Sequence, residues 1–272
     1  MTESTALTAL PVRELARRVA QRTITAEAVA RAFLERCAAV EPDVLAWQYL
    51  DPELAIRQAR ALDAGPAAGA LCGVPVGVKD LMDTADMPTT YGSPIYAGHR
   101  PAADAACVAM ARAAGAVMMG KTATTEFATF APGRTRNPRA GAASPCTPGG
   151  SSSGSAAAVA AGMVPVAFGT QTAGSIVRPA AYCGVVGYKP THGTLPLAGI
   201  KPLAPSLDTV GVLARSVDDA ACFIGALARL PLTPPGACVS ASAVPRIGIV
   251  PATTAARRWS ARQARWPHEA RR

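Results

Sequence analysis

The sequence predicts an α/β protein in which helices cover both faces of a largely parallel or mixed β-sheet. Half of the 272 residues are apolar, which is enough for a sizeable buried core. Short β-branched segments alternate along the chain with Ala-rich helical segments. Two loops combine glycines with hydroxyl side chains, and sheets of this class usually carry ligand-binding residues on such loops.

Two helices are predicted before the first clear strand. The first begins after the N-cap Thr25 and is expected to end at Pro42. Its apolar face has helical spacing and consists of Val29, Phe33, Cys37 and Val40. The second helix is predicted from Asp51 to about Leu62, with Pro52 in its first turn.

The segment from Val74 to Asp80 predicts a strand that places a lysine and an aspartate at its end. Further along, Asp104 is expected to cap an Ala-rich helix that stops at Gly115. The next strand is predicted over Ala116 to Met119. This alternation of strands and helices is the basis for the fold class.

The apolar stretch from Ser155 to Thr170 contains Gly162 and Pro165 and is shorter than the roughly 20 residues of a membrane helix. It instead predicts a short buried helix, a glycine stop and a strand. The N-terminus has no basic region followed by an apolar run, so no secretory signal is recognised. We therefore expect a cytoplasmic protein that does not enter a membrane.

Composition argues against several classes of site. Seven cysteines are scattered without a C-x-x-C pair, which favours reduced thiols over a zinc site or a disulfide framework. Residues 257–272 hold six arginines and one glutamate, so they supply +5 of the net charge of +9. Because the remaining chain is only mildly basic, nucleic-acid binding is not expected, and residues 251–272 are predicted to form a basic, disordered tail.

The serine-rich loop between Ser144 and Val159 suggests nucleophilic chemistry. Gly150 to Gly154 matches G-x-S-x-G, which would make Ser152 the nucleophile of an α/β-hydrolase. That mechanism requires a histidine base after an acidic residue, but His99 lies upstream, His192 precedes every later aspartate and His268 lies in the arginine-rich tail. A desolvated lysine can serve as the base instead, and Lys79 at the end of a strand is the best placed.

These residues resemble the amidase signature hydrolases over about Thr8 to Ala228. Six motifs carry the resemblance in order: GVPVGVKD (73–80), GKTATTEF (120–127), TRNPR (135–139), TPGGSSSGSAAAVAAG (147–162), GTQTAGSIVRPAAYCGVVGYKPT (169–191) and SLDTVG (206–211). The resemblance implies one large α/β domain, residues 1–250, with a mixed sheet covered by helices. Because the family pattern fades after Val250, we expect the C-terminal part of that fold to be missing.

The resemblance also implies a Ser-Ser-Lys triad that hydrolyses a carboxamide C–N bond through an acyl-enzyme. By motif position, Ser175 is the nucleophile, Ser151 the bridging serine and Lys79 the base. Backbone N–H groups of Thr172, Ala173 and Gly174 are expected to form the oxyanion hole. A cis peptide is implied between Gly150 and Ser151. No cofactor or metal is implied.

Further residues near these motifs have competing interpretations. Ser152, Ser153 and Ser155 are interpreted as helix-capping or loop hydrogen-bonding residues, and Asp208 as a residue that pins a turn. Arg178 follows the nucleophile by three residues, and the resemblance suggests that it binds a substrate carboxylate. The alternative is a structural ion pair.

Two alternatives to an amidase of small carboxamides stay open. One is the A-type subunit of a glutamyl-tRNA amidotransferase, against which Gln171 and Arg178 count. The other is an inactive, truncated fragment that acts at most as a binding protein. The expected partner is a small-molecule amide, whose identity the sequence does not reveal, and a homodimer is left open.

Overall fold

The computed structural model of the protein describes residues 3–140 and 146–230, and the strands found there form one sheet. The strands are β1 (Trp47–Leu50), β2 (Pro75–Lys79), β3 (Val117–Thr122), β4 (Val166–Gln171), β5 (Val186–Tyr188) and β6 (Thr209–Ala214). Their order is β1-β3-β2-β4-β6-β5. Strand β2 pairs in parallel with β3 and β4, and the outer pairs are antiparallel. The predicted mixed sheet is confirmed.

Eight α-helices accompany this sheet in the described residues. They are α1 (Glu3–Ala9), α2 (Val12–Ala20), α3 (Ala26–Val44), α4 (Pro52–Ala64), α5 (Ala106–Ala113), α6 (Ser153–Ala160), α7 (Val177–Cys183) and α8 (Val217–Ala228). None of them has both the length and the apolar composition needed to cross a membrane. The predicted tail 251–272 lies outside the described residues.

Helix α3 begins as predicted, because the Thr25 side chain accepts a hydrogen bond from the backbone N–H of Ala28 at 3.0 Å. The predicted end at Pro42 is wrong, since the helix continues to Val44. Pro42 lies within the last turn, where its nitrogen carries no N–H to donate to the preceding turn. The helix ends instead at Leu45, which has a left-handed backbone with φ 55°. Helix α4 also agrees with prediction and extends two residues beyond Leu62.

The predicted capping of α5 by Asp104 is wrong. The cap position belongs to Ala105, whose side chain makes no capping bond. The carboxylate of Asp104 accepts a hydrogen bond from Ala85 N at 2.8 Å and pairs with Arg112 Nε at 2.9 Å. Asp104 therefore joins the loop after β2 to α5, and the helix stops before Gly115 as expected.

Helix α6 and strand β4 follow the prediction for the apolar stretch, with Gly162 at φ +75° between them. Gly154 in the first turn of α6 lies against the backbone near β1 and β3. A Cβ atom there would lie 2.2 Å from Ala46 O and 2.3 Å from Ala123 N. Only glycine permits this close approach, which holds the start of α6 against the ends of these strands.

The core is continuous across the sheet and its helices. Strands β2, β3, β4 and β6 are buried along their whole length, which agrees with near-continuous apolar segments flanked by helices. Phe168 on β4 meets Phe223 on α8 edge to face, with ring centroids 4.9 Å apart. The six described cysteines are thiols rather than disulfides, as expected, and Cys238 lies outside the described residues.

Candidate active site

Lys79 occupies the last position of β2, beside the end of its parallel neighbour β4. Its Nζ atom lies 2.8 Å from Ser151 Oγ and 2.8 Å from Thr170 Oγ1. Thr170 is the penultimate residue of β4, so parallel pairing delivers both side chains to the same sheet edge. The structure thus brings Lys79 and Ser151 together across 72 residues of sequence.

Burial governs the charge of Lys79. The residue is fully buried, and no carboxylate within the described residues forms an ion pair with it. Desolvation disfavours the ammonium form and lowers the pKa of Lys79 to about 7, although the charge of Asp208 opposes part of the shift. A substantial fraction of this amine is therefore neutral, and able to accept a proton, near pH 7.

Ser151 is held by its own backbone. The peptide between Gly150 and Ser151 is cis, as the resemblance implies. The Ser151 carbonyl accepts hydrogen bonds from Ser153 N at 2.8 Å, Thr124 Oγ1 at 3.1 Å and Thr125 N at 3.2 Å. These bonds fix the serine at the start of α6, with its hydroxyl toward Lys79.

Ser175 lies in the turn between β4 and α7 and borders the same cleft as Ser151. The cleft wall comprises Leu81, Ala128, Ser151, Thr170, Thr172, Ser175, Leu197, Ile200, Lys201, Leu203 and Asp208. The Ser175 carbonyl accepts a hydrogen bond from Ser152 N at 3.2 Å, which ties the two serine loops together. Ser175 is 8% exposed, whereas Lys79 and Ser151 are 0% exposed, so Ser175 is the most exposed of the three.

The turn before Ser175 presents unused backbone donors. In the part of the chain that the structure describes, nothing accepts a hydrogen bond from the N–H groups of Thr172, Ala173 or Gly174. The N–H groups of Ile176 and Val177, which follow Ser175, both donate to Gln171 Oε1, at 2.9 and 3.0 Å. Gln171 thus fixes the start of α7 and leaves the preceding donors available to a ligand.

The other serines of the loop have structural partners. Ser152 Oγ donates to Thr170 O at 3.3 Å, Ser153 Oγ to Ala123 O at 3.2 Å and Ser155 Oγ to Phe168 O at 2.8 Å. Their interpretation as loop hydrogen-bonding residues is confirmed, but Ser152 makes no helix-capping bond although it occupies the cap position of α6. Ser152 is also fully buried, which argues against its acting as a nucleophile.

Asp208 pins a turn, as predicted. One carboxylate oxygen accepts hydrogen bonds from Leu203 N at 2.8 Å and Ala204 N at 2.9 Å. The other accepts the hydroxyl of Thr172, which joins this turn to the loop before Ser175. The contact with Thr172 is a role that the sequence did not indicate.

Arg178, in the first turn of α7, makes a backbone contact. Its Nε donates to the carbonyl of Gly150 at 3.0 Å, beside the cis peptide. Within residues 3–140 and 146–230, no carboxylate pairs with Arg178. The structural ion pair considered from the sequence is therefore not found there, and Arg178 is not part of the cleft wall.

The sequence analysis did not predict two features of the site. Thr170 accepts a hydrogen bond from Lys79, but a threonine inside a strand gives no sequence signal for this role.

Lys121 and Asp80 form an ion pair at 3.2 Å, with both side chains fully buried. Lys121 also donates to Met82 O at 2.8 Å. The recurrence of lysine in two strand-end motifs, VKD and GKT, was the available hint.

Metal chemistry has no candidate site in the described ranges, where no three His, Cys, Asp or Glu side chains are grouped as ligands. A buried lysine with a lowered pKa beside the hydroxyl of Ser151 is instead typical of a reactive centre. Such an arrangement can activate a hydroxyl for nucleophilic attack.

Comparison with known proteins agrees with this geometry. Residues 28–231 match the family model described as Amidase. The A subunit of the glutamyl-tRNA(Gln) amidotransferase of Acidothermus cellulolyticus is 48% identical over 225 residues, which are 79% of this chain and 44% of that protein. The chain thus spans less than half the length of this curated relative.

Solved structures are similar over the same region. The peptide amidase of Stenotrophomonas maltophilia is 41% identical with a TM-score of 0.75, over 80% of this chain and 47% of the other. An amidase family protein of Bacillus anthracis is 33% identical with a TM-score of 0.76, over 83% of this chain and 48% of the other. The family match, the similar structures and the mixed sheet agree, and the chain belongs to the amidase family.

Proposed function

We propose that this chain hydrolyses the C–N bond of a carboxamide with Ser175 as nucleophile, Ser151 as bridging serine and Lys79 as base. One observation carries the proposal: a fully buried lysine, unpaired with any described carboxylate and with a pKa of about 7, lies 2.8 Å from Ser151 Oγ. Ser151 and Ser175 border one cleft. An unprotonated amine next to a hydroxyl is the arrangement that general-base catalysis requires.

The reaction proceeds in two balanced stages. Neutral Lys79 accepts a proton from Ser151, and Ser151 accepts the proton of Ser175 as the Ser175 oxygen bonds to the amide carbon. The protons return through the same relay to the leaving nitrogen as the C–N bond breaks, which leaves an acyl ester on Ser175 and releases the amine. Water then attacks the ester, giving the carboxylic acid and free Ser175.

Thr170 orients the amine of Lys79 for this proton relay. Because Thr170 Oγ1 accepts one N–H of Lys79 at 2.8 Å, the lone pair of the neutral amine can point toward Ser151. The unused N–H groups of Thr172, Ala173 and Gly174 are proposed to bind the oxyanion that forms during attack. Loss of one such donor typically raises the barrier by about 3–4 kcal/mol.

We further propose that Arg178 recognises an anionic group of the substrate. Its Nε is engaged by Gly150 O, which orients the guanidinium and leaves the two Nη atoms for a bidentate pair with a carboxylate. A small carboxamide that also carries an acid group is the substrate class that fits this arrangement. Such a substrate agrees with the amidase of small carboxamides that the sequence predicts.

The second candidate is an A-type subunit of a glutamyl-tRNA amidotransferase. The observation that favours it is the 48% identity to a protein with that name. In that case the same residues would release ammonia from an amide donor, and a partner protein would receive it. Release of ammonia from small amides by the chain alone favours the amidase, whereas activity that requires added partner proteins favours the amidotransferase.

The direct test is a fluorophosphonate probe applied to residues 1–272, followed by mass-spectrometric mapping of the modified residue. We expect modification of Ser175, and its loss in Ser175→Ala. Ser152→Ala is the matched control, because Ser152 lies in the neighbouring loop and is assigned no catalytic role. Modification of Ser152 in place of Ser175, or an unlabelled chain that has no amide turnover, would contradict the proposal.

A further inference from the structure

Lys201 lies in the cleft wall within a cluster of aromatic rings. Its Nζ atom is 5.3 Å from the ring centroid of Tyr91, 5.0 Å from that of Tyr96 and 5.9 Å from that of Phe127. It also donates a hydrogen bond to Tyr96 Oη at 3.1 Å. Cation–π attraction to several rings stabilises a lysine in its charged form and restricts the flexible side chain.

The backbone of Lys201 is tied to the strand segment that carries the proposed base. Its N–H donates to Leu81 O at 3.0 Å, and Asp83 N donates to Gly199 O at 2.9 Å. Leu81 follows Lys79 by two residues. Main-chain pairing therefore fixes the backbone of Lys201 relative to the segment that follows Lys79.

The aromatic cluster is held by an unusual backbone. Phe127 and Ala128 both have positive φ, 47° and 60°, although neither is glycine. Such conformations persist only where the surroundings impose them, and they concentrate at functional sites. Here Phe127 N donates to Tyr91 O at 2.9 Å, so the turn places Phe127 near Lys201 and Ala128 in the cleft wall.

The positive charge of Lys201 has no carboxylate partner in the described part of the chain. Asp208 also borders the cleft, but its oxygens accept hydrogen bonds from Leu203 N, Ala204 N and the Thr172 hydroxyl. Local donors thus compensate this carboxylate. A charged, restrained and unpaired lysine remains on the wall of a cleft that also contains Ser151 and Ser175.

We infer that Lys201 binds an anionic group of the substrate and determines specificity for acidic amides. The inference rests on the proposed amidase function and adds a second positive charge, in the cleft wall itself, to that of Arg178. The substrate class is a monoamide of a dicarboxylic acid, with the carboxamide at Ser175 and the carboxylate at Lys201. The aromatic cluster acts as a positioning frame for the lysine.

Binding measured in the Ser175→Ala background tests this without turnover. Succinamate and glutaramate are the probes, and their methyl esters, which lack the negative charge, are the paired controls in calorimetric titrations. We expect Lys201→Met to raise the Kd of the acids roughly 10- to 100-fold, as for a lost hydrogen bond to a charged group. The esters should change little, and Lys201→Arg should retain most of the affinity for the acids.

Lys189→Met is the matched control variant, since Lys189 bonds to Pro190 O and is not part of the cleft wall. Thermal unfolding of each variant reports loss of structure, which would weaken the binding of acids and esters alike. Equal changes for acids and esters, unchanged affinity in Lys201→Met, or no binding of either acid to the Ser175→Ala chain would each overturn the inference. Failure of the proposed function appears separately, as absent labelling of Ser175.

Discussion

Lys79 Nζ and Ser151 Oγ lie 2.8 Å apart in a fully buried setting, at the junction between the end of β2 and the start of α6. The short distance allows direct proton transfer, and burial lowers the pKa of the lysine to about 7. Both features arise because the strand end and the serine loop are packed against one another without solvent. The activity of the chain and its dependence on pH are expected to follow from this contact.

Replacement of Lys79 by methionine should slow turnover strongly while preserving the fold. Methionine fills a similar volume without the amine, so we expect kcat/KM to fall roughly 100- to 10,000-fold, as for loss of a general base. Steady-state kinetics beside circular dichroism measure the two effects. Lys189→Met serves as the control for removing a lysine elsewhere. A Lys79→Met variant with near wild-type rate would remove the lysine from the mechanism.

The rate should rise with pH through about 7. The pKa of Lys79 is lowered to about 7, so the neutral amine that accepts a proton predominates above this value and the ammonium below it. A profile of kcat/KM against pH, obtained with a neutral amide, reports the pKa in the free enzyme. An ascending limb centred near the ordinary lysine pKa of about 10.4 would show that burial does not set the charge of this residue.

Thr170→Val should slow the reaction without disturbing β4. Valine keeps the β-branched shape in the strand but cannot accept the hydrogen bond from Lys79, which is 2.8 Å long. We expect kcat to fall about tenfold, which corresponds to about 1.4 kcal/mol, with KM little changed. Thr209→Val, on the neighbouring strand β6, is the control. Equal kinetics for both variants would leave Thr170 with a packing role only.

Lys121→Met should destabilise the fold strongly. It leaves the fully buried Asp80 without its cationic partner at 3.2 Å and with only hydrogen bonds from Thr90, and breaking a buried ion pair typically costs about 3–5 kcal/mol of unfolding free energy. The double variant Asp80→Asn with Lys121→Met should recover much of this loss, because neither charge remains. Urea unfolding of the wild type, of Lys121→Met, of Asp80→Asn and of the double variant measures the coupling. Additive effects of the two substitutions would show that the pair is not coupled.

Arg178→Leu should raise KM for acidic amides more than for neutral amides. Loss of a charge-assisted pair acts on the carboxylate alone, so the expected ratio of KM values changes roughly tenfold or more. Succinamate and butyramide form a suitable substrate pair. Because Arg178 also donates to Gly150 O at 3.0 Å, Arg178→Lys checks whether charge without this geometry is sufficient. Equal effects on both substrates would leave only the contact with Gly150.

Local patterns predicted much of the fold. The N-cap Thr25, the start of α4 near Asp51, the strand at VPVGVK and the glycine stop after α6 depend on backbone preferences and hydrophobic periodicity within a few residues. The two wrong predictions, the end of α3 at Pro42 and the capping of α5 by Asp104, have a common origin. The end of α3 at Leu45 and the pairing of Asp104 with Arg112 depend on partners that neighbouring residues do not specify.

The sequence by itself determined the family resemblance, the mixed α/β fold and the candidate residues Lys79, Ser151 and Ser175. Only the tertiary structure decided that Lys79 is fully buried beside Thr170, that Asp80 pairs with Lys121, and that aromatic rings surround Lys201. Motifs record residue types along the chain, whereas desolvation and charge pairing depend on which distant segments pack together. The pKa of a lysine and the partner of a cation are therefore properties of the folded protein.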